Sequence, residues 1–273
     1  MLGSDVIWPL WSETPAVTFE NPDGAPKTAV VTAVEQPVLL GFHPARPNGR
    51  AMLVLGGGGY VALMAGREGV QVAQWLTALG YHAFVLLHRF PNAAHGVAAP
   101  LDDAIEAMRL IRASDPGFAG VGVVGLSSGG HLAACLLAAY PQEWTPRSHA
   151  ARPDVAVIGY APISTNARGR TIVANKPPLP PAEKQAMYDR LQPDAQLLPA
   201  PPPGFIVYAG NDPVVPVENA HRLQKAWIAA GGLAELHIFA DAPHGFALDT
   251  KDLPVSVWPV LCEAWLRQVG FLA

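Results

Sequence analysis

The chain predicts an α/β fold built on a mostly parallel sheet with helices on both faces. Two observations carry this. Six short apolar runs recur along the chain, and a stretch of helical periodicity or a turn-rich connection separates each from the next. Within the runs apolar residues are nearly continuous rather than alternating, as in strands buried on both faces. The runs are AMLVLG (51–56), YHAFVLLH (81–88), VGVVGL (121–126), DVAVIGY (154–160), GFIVYAG (204–210) and AELHIF (234–239). Residues 28–43 are expected to add antiparallel edge strands. Residues 67–80 read as a helix closed by Gly80. Residues 101–113 carry acids in the first turn, basic residues late, and Ile105, Met108 and Ile111 at helical spacing. Residues 131–140 are apolar all round, which makes a buried helix. Residues 217–231 and 255–269 complete the set, joined by right-handed crossovers.

One segment breaks the rhythm. Proline density over 175–204 excludes long helices apart from a short one near PAEKQAMYDRL, so it reads as an excursion from the sheet. With residues 1–27 as an N-terminal arm, the 273 residues are expected to form one domain without a large cap.

Composition narrows the function classes. Eighteen Lys and Arg against 22 Asp and Glu leave a formal charge of −4 without a basic cluster, which argues against a nucleic-acid partner. No run of about 18 apolar residues argues for a membrane span. The stretch MLGSDVIWPLWSE has no signal-peptide pattern, so the chain reads as cytoplasmic. A mature secreted or periplasmic form reads the same way. Cys135 and Cys262 have no metal-site spacing, and Cys135 in LAACLLAA reads as a small buried thiol. No H-E-x-x-H motif and no His/Asp cluster at ligand spacing occurs, so neither metal nor cofactor is expected.

Chemistry concentrates at Gly125-Leu126-Ser127-Ser128-Gly129, a G-x-S-x-G pattern. It follows an apolar strand and precedes a buried helix, the junction at which a nucleophile projects on a strained turn. Ser127 is the candidate nucleophile. Ser128 offers its backbone N–H to a developing oxyanion, with no duty expected of its side chain. A serine hydroxyl needs a base. Asp212 follows the fifth run, 85 positions after Ser127, and His244 follows the sixth, 32 positions after Asp212, so one helix and one strand bring their loops side by side. Of the other histidines, His82, His88 and His237 lie in strands and His221 in a helix, while His43, His95 and His149 lie in loops. His95 is the one of these three expected to approach the site. His131 competes as base but sits in the first turn of the nucleophile helix, where packing is the commoner role. Asp241 competes as the acid from His244's own loop, whereas a triad acid approaches from a separate one.

LVLGGGGY (53–60) meets neither G-x-G-x-x-G nor a P-loop pattern. This stretch resembles α/β-hydrolases of the acetyl xylan esterase/feruloyl esterase-like group, relatives of the hormone-sensitive-lipase-like esterases. So do VGVVGLSSGGHLAA, NDPVVPVENAHRLQKAWIAAG and AELHIFADAPHGFAL, and together the matching stretches span roughly residues 50–250. The resemblance implies a Ser127–His244–Asp212 triad. It also implies an oxyanion hole from Gly57, Gly58 and Ser128, with Gly56 where relatives often carry His or Pro. It further implies hydrolysis of short-acyl esters, acetyl foremost, on a small-molecule or oligosaccharide alcohol. Tyr60 and the 175–204 segment are expected to border the cleft. Trp8 and Trp11 either stack on sugar rings or fasten the arm to the body, the commoner use. A prolyl-oligopeptidase-like peptidase and a non-catalytic binding protein of the same fold are the competing readings.

Overall fold

The computed structural model describes residues 1–11, 14–21, 23–114, 117–141, 143–144 and 152–273. His149 lies outside the described residues. In chain order the strands are β1 (Val6–Pro9), β2 (Ala16–Glu20), β3 (Val30–Gln36), β4 (Val38–Phe42), β5 (Ala51–Leu55) and β6 (His82–Leu87), then β7 (Val121–Leu126), β8 (Ala156–Gly159), β9 (Gly204–Ala209) and β10 (Ala234–Phe239). The helices are α1 (Gln71–Ala78), α2 (Ala99–Ser114), α3 (Ser128–Cys135), α4 (Ala182–Arg190), α5 (Pro193–Gln196), α6 (Glu218–Ala229) and α7 (Trp258–Gln268).

The six apolar runs are β5 to β10. They form one sheet in the order β1-β4-β6-β5-β7-β8-β9-β10, parallel from β6 onward, with β1 and β4 antiparallel at one edge. Every residue of β5, β7, β8 and β9 is buried, whereas edge strand β10 is half-exposed. The chain steps from β5 out to β6, then reverses and runs β7 to β10. With right-handed crossovers, that reversal puts α1 on one face and α2, α3 and α6 on the other. A Trp75–Trp258 edge contact at 5.4 Å ties α7 to α1.

Three boundaries differ from the sequence expectation, each for a tertiary reason. The N-terminal arm supplies a sheet strand, β1, whose Trp8 packs on Phe84 with ring centroids 4.8 Å apart. Trp11 donates from Nε1 to Asp103 and lies against Arg89, so both tryptophans fasten the arm. Helix α3, which follows Ser127, begins at Ser128 and stops at Cys135, because the Ala139 N–H is diverted to the Gln196 carbonyl at 2.7 Å. Before α1, residues Ala65–Val70 form a π-helical turn, which inserts one residue per turn and is frequent at functional sites. Gly80 ends α1 with φ +92°, as its sequence position requires.

Candidate active site

Ser127 follows the carboxyl end of β7 directly, and the loops carrying Asp212 and His244 follow the carboxyl ends of β9 and β10. Because these strands are parallel, all three residues emerge at one edge of the sheet. Ser127 has φ +52° and ψ −124°, a strained conformation for an L-residue that aims its side chain out of the strand-to-helix turn. The flanking glycines are required by close approach rather than by positive φ. A Cβ at Gly125 would lie 2.3 Å from the Gly129 carbonyl oxygen, and one at Gly129 would lie 2.0 Å from the Leu55 carbonyl oxygen.

Ser127 Oγ lies 3.0 Å from His244 Nε2, and His244 Nδ1 lies 2.7 Å from Asp212 Oδ2. With Nδ1–H donating to the carboxylate, Nε2 presents its lone pair to the serine hydroxyl. The other Asp212 oxygen accepts the Val214 and Val215 N–H groups at 2.8 and 2.9 Å, which fixes the carboxylate in a buried position. Asn211 Nδ2 donates to Asp241 at 2.5 Å, and Asn211 Oδ1 accepts the Ala242 N–H at 3.1 Å. Asp241 therefore staples the Asp212 loop to the His244 loop, and among the described residues it makes no hydrogen bond with His244's ring nitrogens. The group opens into a cavity of about 350 Å³ whose lining includes Gly58, Met64, Glu68, Ser127, Val214 and His244.

The competing histidines are engaged elsewhere. His131 is fully buried between the Tyr60 hydroxyl at Nδ1 (2.8 Å) and the Leu191 carbonyl at Nε2 (2.9 Å), and burial pushes its imidazole down to about 4. His95 pairs with Glu35 at 3.5 Å and is not part of the cavity lining. Both cysteines are buried and free, and burial pushes their thiols up, so neither is a nucleophile.

Three expectations at the site need correction. Tyr60 does not border the cleft. It has no exposed surface, and its ring is enclosed by His88, His131 and Tyr188 with its hydroxyl on His131. Gly57 is not a free oxyanion donor, because its N–H is committed to Glu68 Oε2 at 2.6 Å. That leaves the N–H groups of Gly58, in a turn with φ +137°, and Ser128. Among the described residues neither has an acceptor. Nor is the Ser128 side chain idle: its Oγ accepts the Gly59 N–H at 2.9 Å and ties the glycine loop to the nucleophile turn. Ser128→Ala removes one hydrogen bond of about 1 kcal/mol, so kcat for a nitrophenyl acetate assay should fall about fivefold with KM unchanged. Loss of about a hundredfold or more would give the hydroxyl a direct chemical role.

The residue that sequence reasoning missed is Glu68. Its side chain projects from the π-helical turn into the wall of the cavity at Ser127, where it is 3% exposed. One oxygen accepts Gly57 N–H and the other accepts the Tyr160 hydroxyl at 3.0 Å. Tyr160 in turn packs edge-on against the His244 ring, centroids 5.3 Å apart, and accepts the Ala247 N–H at 3.3 Å. Glu68 therefore ties the glycine loop, through Tyr160, to His244. Burial raises its carboxyl above the ordinary value, opposed by the hydrogen bonds from Gly57 and Tyr160. The sequence signal was an acid beside Arg67 in AGREGVQV, a mixed stretch that reads equally well as a solvated helix face.

Among the described residues, no group of three or more His, Cys, Asp and Glu could hold a metal ion, and no helix is long and apolar enough to cross a membrane. The 175–204 excursion does reach the glycine loop: a Cβ at Gly59 would sit 3.7 Å from Lys184 Nζ.

Residues 192–273, which include Asp212 and His244, match the model of the dienelactone hydrolase family. An acetylxylan esterase of Xylanibacter ruminicola is 29% identical over 221 residues, 77% of this chain; the chain spans 43% of that relative's length. Among solved structures, the acetyl ester-xyloside bifunctional hydrolase of Caldicellulosiruptor lactoaceticus superposes with a TM-score of 0.72 at 27% identity. That match covers 99% of this chain and 98% of the other. A carboxylesterase of Lactobacillus plantarum gives a TM-score of 0.72 at 20% identity over 96% and 99% of the two chains, a likeness of fold.

Proposed function

We propose that this chain, which has the α/β-hydrolase fold and is similar to acetyl ester hydrolases, is a serine esterase removing short acyl groups, acetyl foremost, from carbohydrate alcohols. The observation that carries the reading is the continuous Ser127–His244–Asp212 relay, with links of 3.0 and 2.7 Å, opening into a small cavity. His244 Nε2 takes the Ser127 proton as Oγ attacks the ester carbonyl, and Asp212 stabilises the imidazolium that forms. Gly58 and Ser128 N–H groups receive the oxyanion. His244 then returns the proton to the leaving alcohol, and water repeats the sequence on the acyl-enzyme.

The cavity volume of about 350 Å³ lies at the low end of small-molecule sites, which favours a short acyl chain. A hydrolysis screen over acetylated xylo-oligosaccharides, feruloyl esters and nitrophenyl esters of graded length tests the reading. Acetyl and other short acyl groups should give the highest kcat/KM. A preference for chains beyond about eight carbons would overturn it.

A further inference from the structure

The cavity at Ser127 shares two walls, Met64 and Arg67, with a larger open groove of about 680 Å³. That volume is within the range of about 300–1,000 Å³ that small-molecule sites occupy. Gln71, Gln74 and residues 27–30 line the groove, with Leu248 and Asp249 also part of the lining. The position of the 27–30 wall is set by backbone contact. Gly66 N–H donates to the Ala29 carbonyl at 2.8 Å, and a Cβ at Gly66 would lie 2.3 Å from the Lys27 carbonyl carbon. Two further bonds between Val31 and Leu63, each 2.9 Å, stitch β3 to the loop that continues from the glycine run.

The polar groups along this groove divide clearly. Arg67 is held by Asp249 through Nε at 2.9 Å and Nη2 at 2.7 Å, so that pair is neutralised internally. The Thr28 hydroxyl serves its own turn, donating to the Ala25 carbonyl at 2.9 Å. Lys27 is exposed at the edge. Gln71 and Gln74 are three residues apart, hence on one face of α1, and among the described residues neither side-chain amide has a hydrogen-bond partner. Each amide offers both donor and acceptor, the combination that a sugar hydroxyl matches.

We propose that this groove is the subsite for the uncharged, hydroxyl-rich alcohol part of the ester, a short saccharide chain, recognised by the side-chain amides of Gln71 and Gln74. The proposal rests on the esterase reading and names where the leaving group lies: the acyl group at Ser127, the saccharide beyond Met64 and Arg67. Val30 and Leu248 supply apolar surface for the C–H faces of the sugar rings.

The test compares wild type with the double variant Gln71→Ala/Gln74→Ala on two substrates, 4-nitrophenyl acetate and acetylated xylotriose. Loss of two amide hydrogen bonds should raise KM for the oligosaccharide about tenfold, with kcat/KM for nitrophenyl acetate unchanged within about twofold. Deacetylated xylotriose should inhibit nitrophenyl acetate hydrolysis by wild type competitively, with Ki about tenfold weaker in the double variant. An unchanged KM for the oligosaccharide, or an equal loss on both substrates, would overturn the subsite while leaving the esterase reading standing. Failure of wild type to hydrolyse either ester would overturn the esterase reading itself.

Discussion

Ser127→Ala is expected to reduce hydrolysis of nitrophenyl acetate by at least about 10⁴-fold, since loss of the nucleophile removes the covalent route altogether. Asp212→Asn should fall by about 10⁴-fold as well, for a different reason. An amide in place of Oδ2 no longer holds the Nδ1–H tautomer, so Nε2 loses its lone pair toward serine. The two bonds from Val214 and Val215 to the other oxygen should survive and keep the fold intact. Steady-state rates of the purified variants, with thermal unfolding as a check on folding, decide the matter. Ser127→Ala retaining more than about 1% of wild-type turnover would remove it as the nucleophile. Because His131 is buried on the Leu191 carbonyl and held neutral, it offers no substitute base in either variant.

The second large effect is expected at Glu68, as a positioning residue. Glu68→Ala leaves the Gly57 N–H and the Tyr160 hydroxyl without their acceptor, costing about 1–3 kcal/mol for each buried group. The glycine loop then loses its anchor, and kcat should fall about 10²-fold through the Gly58 donor while KM changes little. Glu68→Gln keeps a carbonyl oxygen for Gly57 and should recover most of that loss. A purely structural role would lower the unfolding temperature of Glu68→Ala without this split between kcat and KM.

The pH dependence of stability supplies an independent reading. Burial raises the Glu68 carboxyl above its ordinary 4.5, so between that value and the raised one the folded state holds a proton that the unfolded state has released. The contribution of Glu68 to stability is therefore fully present below 4.5 and is lost as pH rises through the folded value. Glu68→Gln cannot ionise. Its stability relative to wild type should rise with pH across that window in denaturant titrations, and a difference independent of pH would mean that Glu68 is not raised.

How much of this was legible beforehand varies by residue. The strands β5 to β9 could be read directly, because a strand buried on both faces leaves a continuous apolar run in the sequence. Ser127, Asp212 and His244 could be read from chain order, because parallel strands deliver their carboxyl-end loops to one edge. Strand β1 could not: four residues ending in proline carry almost no periodicity, and its pairing with β4 is decided by where the arm lands.

The sequence by itself determined the layered architecture and marked Ser127, Asp212 and His244 as the candidate residues, since these depend on periodicity and on the order of loops. Only the tertiary structure decided which N–H groups are free. Gly57, Gly58 and Gly59 are indistinguishable in the sequence, yet one donates to Glu68 and one to Ser128, leaving Gly58. Likewise Tyr60, adjacent to the loop in sequence, turns inward to His131. The physical reason is the same in both cases. A backbone donor or a side chain takes its role from the partner that packing brings within about 3 Å, and that partner lies far along the chain.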